Sequence, residues 1–252
     1  MKKFLFVLPV LLVFGCSDPE NPNRARFNNR GCLECDKYAV GETFLIGGLS
    51  YTVADRMILE AAINSGLDLS RYCTSKITDM SSLFKDLFNY NQDISTWDVS
   101  NVTNMQGMFW SASSFNQEIG NWDVSNVDNM NSMFKSATVF NQYLNEWNVE
   151  KVVDMSGMFL SAKAFDNPIG DWDVGSVNNM SSMFQGATAF NQYVGDWDVS
   201  GVGNMLNMFY EATIFNQDLS GWCVPNLFVA PFGFSKYSSL ALSNHPDWGN
   251  CP

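Results

Sequence analysis

The chain has 252 residues, 26 acidic against 14 basic, and a formal net charge of −12 at pH 7. So acidic a surface excludes nucleic acid as a partner, because phosphate binding needs clustered Lys and Arg. Aromatic residues make up 14% of the chain, which calls for a packed core and not a disordered acidic tail.

Lys2 and Lys3 followed by the apolar run Phe4–Phe14 read as a secretory leader over residues 1–15, too short to span a bilayer as a mature helix. The leader runs out as Val13-Phe14-Gly15-Cys16, which resembles the lipobox of bacterial lipoproteins, although Phe14 is bulkier than the residue usual there. The resemblance implies that Cys16 is acylated and becomes the mature N-terminus. The other reading is plain secretion with Cys16 free or disulfide-bonded. Acyl chains on Cys16 would hold the protein at a membrane, since each buried methylene contributes about 0.8 kcal/mol. Residues 16–30 then read as the lipidated N-terminus and a solvated tether rich in Asn and Pro.

Residues 31–75 predict a cap module made of a hairpin and a helix. GETFLIGGLSYTV (41–53) alternates about Gly47-Gly48, a dipeptide suited to the positive φ values of a tight turn. From Ala54 to Ser65, Met57, Ile58, Ala61, Ala62 and Ser65 fall at helical spacing, with Gly66 as the cap. Export permits disulfides. Cys223 and Cys251 bracket the C-terminal segment and are expected to close it. Cys35 with Cys73 would tie the cap to the first coil and leave Cys32 odd, and a Cys32–Cys35 bridge is the alternative. Cys32-Leu33-Glu34-Cys35 has half the spacing of a zinc site but no second half, so no metal is expected.

Residues 76–222 repeat. Trp97, Trp122, Trp147, Trp172, Trp197 and Trp222 recur every 25 residues, together with Met80 to Met205 and Phe115 to Phe215. A fixed period of this length predicts an α/β solenoid whose coils bury their apolar faces only by stacking. Met105, Met108, Phe109 and Ala112 sit at i, i+3, i+4 and i+7, which predicts one short helix per coil, begun by Asp79, Asn104, Asn129, Asp154, Asn179 or Asn204. Trp122-Asp123-Val124 alternates as a short strand, which predicts a parallel sheet running the length of the array with the indoles in its core. Residues 223–252, with Phe228, Phe232, Phe234, Tyr237, Leu240 and Trp248, predict a C-terminal cap.

The units WDVSNVTNMQGMF (97–109) and SSFNQEIGNWDVSNV (113–127), with the closing WGNCP (248–252), resemble the BspA-like leucine-rich-repeat surface proteins of bacteria. The resemblance covers essentially residues 35–252. It implies a leucine-rich-repeat type array and lipid-anchored display at the bacterial surface, at the outer membrane. It also implies attachment to host, matrix or cell partners, protein or glycan.

The expected binding face is the column Asp98, Asp123, Asn148, Asp173 and Asp198, which alternation places outward. Neighbouring carboxylates there approach the roughly 5–5.5 Å of a retaining glycosidase pair, but equivalent positions cannot supply the unlike acid and base that catalysis needs. A solvated acidic face and weak calcium binding are its other readings. The Asn-Gln pairs, such as Asn116-Gln117, are expected to bridge coils by hydrogen bonds. His245 is the only histidine, nothing near it in sequence nominates a nucleophile, and no glycine-rich phosphate loop is present. The expected function is therefore non-enzymatic binding or adhesion without a cofactor. A structural spacer or, less in keeping with the residues, a polysaccharide-active enzyme are the alternatives.

Overall fold

The computed structural model describes residues 25–252; the leader, Cys16 and most of the tether lie outside them. β1 (Arg26–Phe27) pairs antiparallel with β2 (Leu33–Glu34). β3 (Thr43–Ile46) and β4 (Leu49–Val53) form a hairpin whose turn, Gly47-Gly48, has φ of 58° and 80°, the left-handed pair that a two-residue turn needs to match strand twist. β5 (Tyr72–Cys73) runs parallel beside β4. Phe44, Tyr51 and Val53 form a small core around the bonded pair Cys35–Cys73.

Between the strands lies helix α1 (Arg56–Asn64), where the Asp55 carboxylate accepts from the Ile58 amide at 2.9 Å. Its buried side chains are Leu59 and Ala62, whereas Met57 is 73% exposed and Ala61 is exposed, so the apolar face expected from Met57 and Ala61 is turned away from the core. The rotation lets Arg56 donate to the carbonyls of Asp79 at 3.0 Å and Ser81 at 2.7 Å, tying the helix to the first repeat unit. Leu59, Ala62 and Leu69 join the interior of the repeats, so the module covers their open end.

The 25-residue units lie one on the next. Where a helix was expected, each unit makes a run of turns instead; among the described residues α1 is the only α-helix. In the unit from Met130 the amides divide by parity. Met130, Ser132, Phe134 and Ser136 donate to the carbonyls of Asp154, Ser156, Met158 and Leu160 in the next unit, while Met133, Lys135 and Ala137 donate to the carbonyls three residues back. A helix would use every amide internally and leave nothing to join the units. The turns require left-handed backbone at two places per unit: Gly107 and Ser111, Ser132 and Ser136, Gly157 and Ser161, Ser182 and Gly186. Met105, Met108, Phe109 and Ala112 are all buried nonetheless, so the side-chain spacing is that of a helix and the backbone is not.

The expected strand is also displaced. Unit to unit, parallel bridges join Asp79, Asn104, Asn129, Asp154, Asn179 and Asn204, the last five each seven residues beyond a tryptophan, and none joins one Trp-Asp-Val segment to the next. The Asn and Asp side chains there cap no helix; each closes a two-residue turn, as Asn104 Oδ1 does by accepting from the Gln106 amide at 3.0 Å.

Three columns fill the interior. Phe84, Phe109, Phe134, Phe159, Phe184 and Phe209 stack with centroids 5.3–5.7 Å apart. Tyr90 and Phe115 to Phe215 run beside them. The six tryptophans are no more than 3% exposed, and each indole N–H donates to a carbonyl 28 residues earlier, from Trp97 to Leu69 through Trp222 to Val194, at 3.0–3.3 Å. The indole thus seals the core and bonds its unit to the one before. Burying one removes about 150–250 Å², several kcal/mol per unit as an upper bound at about 25 cal/mol/Å².

At the far end the chain makes one more, irregular unit. Asn207, Phe209 and Glu211 donate to the carbonyls of Phe232, Phe234 and Lys236, and Gly233 and Tyr237 repeat the left-handed pair with one residue inserted. Phe234 meets Phe209 edge-on at 86°, which ends the stack. Cys223 is bonded to Cys251. Phe234 and Leu240 are buried, but Phe228, Phe232 and Tyr237 are 80%, 75% and 62% exposed, so only part of the expected apolar cap seals the end. Among the described residues no helix is long and apolar enough to cross a membrane.

Candidate binding face

The acidic column does not form one exposed face. Asp98 is buried at 3% and Asp123 is half-buried, while Asn148, Asp173 and Asp198 are exposed. The cause lies far off in sequence: Leu33 of β2 bridges to Trp97 and donates to the Thr96 carbonyl at 2.8 Å, and Thr74 donates to the Asp98 carbonyl at 2.9 Å, so the cap module lies over the first members. Every member is also occupied. Asp98, Asp123, Asn148, Asp173 and Asp198 accept from the amide two residues on at 3.0–3.2 Å. For Asp198, hydrogen bonds from the Ser200 hydroxyl and amide hold the carboxyl below its ordinary range. These residues shape turns, and the reason for their recurrence is local.

The Asn-Gln pairs form the bridging ladder. Asn91, Asn116, Asn141, Asp166 and Asn191 each accept, through the side-chain oxygen, from an amide of the next unit at 2.9–3.0 Å. Gln117, Gln142, Gln192 and Gln217 each donate to a backbone carbonyl of the preceding unit at 2.8–2.9 Å.

A different strip breaks the repetition. Four residues before each buried indole stand Asp93, Glu118, Tyr143, Pro168, Tyr193 and Asp218; directly before it stand Thr96, Asn121, Glu146, Asp171, Asp196 and Gly221. Tyr143 and Tyr193 are 46% and 49% exposed. The Tyr193 hydroxyl donates to Asp196 Oδ1 at 2.9 Å, which pushes the phenol's pKa up, and the Tyr143 hydroxyl lies 3.4 Å from Glu146 Oε1. Glycine permits the arrangement at Tyr193. A Cβ at Gly195 would fall 2.7 Å from the Tyr193 hydroxyl, whereas one at Gly120 would fall 2.5 Å from the Tyr143 carbonyl, where glycine serves the close approach of two units and not the ring.

Beside Tyr143 lies an open groove of about 810 Å³ lined by Arg30, Glu118, Asn121, Gln142, Tyr143 and Glu146 among others. One wall comes from the segment before β2 and is fixed by Asn121, whose Nδ2 donates to the carbonyls of Arg30 at 3.0 Å and Ser95 at 2.8 Å. The pattern Tyr-x-x-acid-Trp, present as Tyr143-Leu144-Asn145-Glu146-Trp147 and Tyr193-Val194-Gly195-Asp196-Trp197, was the signal in the sequence for this strip.

Cys32 is free and buried, and burial with the nearby Asp98 carboxylate pushes its thiol up to about 11. A thiol so disposed is a poor nucleophile and metal ligand. His245 Nε2 lies 3.1 Å from Ser235 Oγ, a pairing invisible in sequence. The ring packs edge-on between Phe234 and Trp248, burial lowers its pKa, and no carboxylate among the described residues bonds to it, so the third member of a triad is not supplied there. Among the described residues no group of three His, Cys, Asp or Glu side chains is placed to hold a metal ion.

A family model described as Mycoplasma protein of unknown function, DUF285, matches residues 54–164 and again 142–243. Together the two matches span most of the chain, and the chain belongs to this family of repeat proteins. No curated protein and no solved structure matches it.

Proposed function

We propose that this family member is an exported, non-enzymatic binding protein, held at the bacterial outer membrane by acyl chains on Cys16. Its stacked units act as a leucine-rich-repeat type solenoid of the BspA-like kind, a rigid surface for a protein or glycan partner. The observation that carries the reading is the contrast within one unit. Positions that hold units together keep Trp throughout and amide or Asp side chains in the ladder, whereas the adjacent exposed strip carries Tyr143, Pro168 and Tyr193 in successive units. Two half-exposed rings, Tyr143 and Tyr193, each beside an acidic partner, support a contact face over a featureless spacer.

The test is an array of matrix proteins and glycans probed with the soluble form that begins at Ser17. Binding of at least one class, reduced by substitutions in the strip, is the expected result. Silence across the array would contradict the reading and favour a spacer. For the anchor, Cys16→Ser should move the protein from the membrane fraction to the soluble fraction, and retention in the membrane would count against acylation.

A further inference from the structure

Resting on that reading, we propose that the groove between Arg30 and Tyr143, continued along the strip to Tyr193, binds a neutral oligosaccharide. The aromatic rings supply the first argument. Half-exposed rings fixed against the backbone offer a flat apolar face without a closed pocket, suited to the C–H face of a pyranose. Tyr193 is fixed from beneath and from the side. A Cβ at Gly195 would meet its Cε2 at 2.8 Å, so the ring lies against its own unit where only glycine leaves room, and its hydroxyl is held by Asp196. Tyr143 and Tyr193 are two units apart, on a side of the stack where the neighbouring indoles Trp147 and Trp172 are 6.5 Å apart. A saccharide touching both rings therefore runs along the stack.

The polar groups supply the second. Sugar hydroxyls donate and accept at once and are best met by carboxylates mixed with amides and a guanidinium. The groove offers Glu118 and Glu146 as acceptors and Arg30 as donor, and the strip continues with Asp171 and Asp196. The Gln142 amide is oriented in advance: its Nε2 donates to the Asn116 carbonyl at 2.9 Å, which leaves its oxygen with no donor among the described residues. Preorganised groups of this kind cost little to order on binding.

Charge narrows the class. Four carboxylates against one guanidinium repel uronates, sulfates and sialic acids, because a like charge brought to the strip gains no counter-ion. The groove's volume of about 810 Å³ lies within the range of small-ligand clefts, about 300–1,000 Å³, unlike the flatter face that a folded protein requires.

The experiment is a titration of the purified whole protein, followed by calorimetry and by tyrosine ring resonances. The probes are lactose, maltotriose and N,N′-diacetylchitobiose, with 3′-sialyllactose as the anionic control. At least one neutral probe should bind and shift the rings of Tyr143 and Tyr193. Tyr143→Ala and Tyr193→Ala should each weaken it by about ten-fold, equivalent to about 1.4 kcal/mol, with unchanged unfolding midpoints. Tyr237→Ala, at the far end, should leave affinity unchanged, and the sialylated probe should bind more weakly than lactose. Glu146→Gln, which keeps the backbone intact, should weaken binding several-fold even if a tyrosine variant folds poorly. No binding by any neutral probe, or binding indifferent to Tyr143, Tyr193 and Glu146, overturns the assignment. If saccharides fail while a protein on the array binds through the strip, the saccharide assignment falls and the broader reading stands; if nothing binds, both fall.

Discussion

The interior columns and the strip beside them are separated by one residue in sequence and differ in everything else. Trp147 and Trp172 lie with centroids 6.5 Å apart and planes 5° from parallel, each bonded to the unit before. Glu146 and Asp171, their immediate neighbours, are exposed and differ from unit to unit. Position in the stack therefore assigns the task. Where a side chain carries the bonds between units the choice is narrow, Trp throughout the indole column and Asn or Asp in the ladder, and where it meets solvent the residue is free to change.

That contrast breaks most visibly at its inner side. Trp147→Ala removes a buried ring and the bond to Ile119, and should cost about 3–5 kcal/mol in denaturant unfolding. Loss of less than about 1 kcal/mol would contradict the buried, bonded role. The Asn ladder is next in size. Asn141→Ala leaves the Asp166 amide without its acceptor, an expected cost of about 1 kcal/mol by the same measurement, since the site is exposed to water.

Much of the interior was legible from Trp, Met and Phe at a fixed period, because burial leaves a strict mark. The backbone was harder to read. Met105, Met108, Phe109 and Ala112 satisfy a helix and a turn ladder equally, and the discriminating sign was the small or flexible residue recurring at Gly107 and Ser111, Ser132 and Ser136. The shielding of Asp98 was beyond reach, since it depends on Leu33 arriving from the cap module. Tyr143 and Tyr193 were visible as letters, but their significance required Gly195 beneath one ring and the groove beside the other. The acidic column drew notice by its regularity, and that regularity belongs to turn closure.

Acid separates the two regions further. The Asp198 and Asp218 carboxyls are held below the ordinary value of 3.8 by the hydroxyl and amide of Ser200 and of Ser220. Their stabilising contribution is complete above the ordinary carboxylate value and is lost as pH falls through the lowered one. The stability difference between the protein and Asp198→Asn should accordingly be constant from neutral pH down to about pH 4 and fade below it, in urea midpoints taken across that range. A difference that grows on acidification would contradict the assigned cause. The smallest effect is expected on the outer side: Tyr193→Ala should change stability by no more than about 0.5 kcal/mol, and a larger loss would make the ring a structural element.

Hydrogen exchange of the tryptophan indole N–H groups tests the stacking most directly. The chain has eight tryptophans. Six donate to backbone carbonyls of the preceding unit or cap, while Trp110, flanked by Lys85 and Lys135 at 4.0 and 4.1 Å, and Trp248 are only half-buried. Six slowly exchanging indole signals and two fast ones are expected. Fast exchange at Trp122, Trp147, Trp172 and Trp197 would contradict the account, because units joined through those groups cannot open them to water without coming apart.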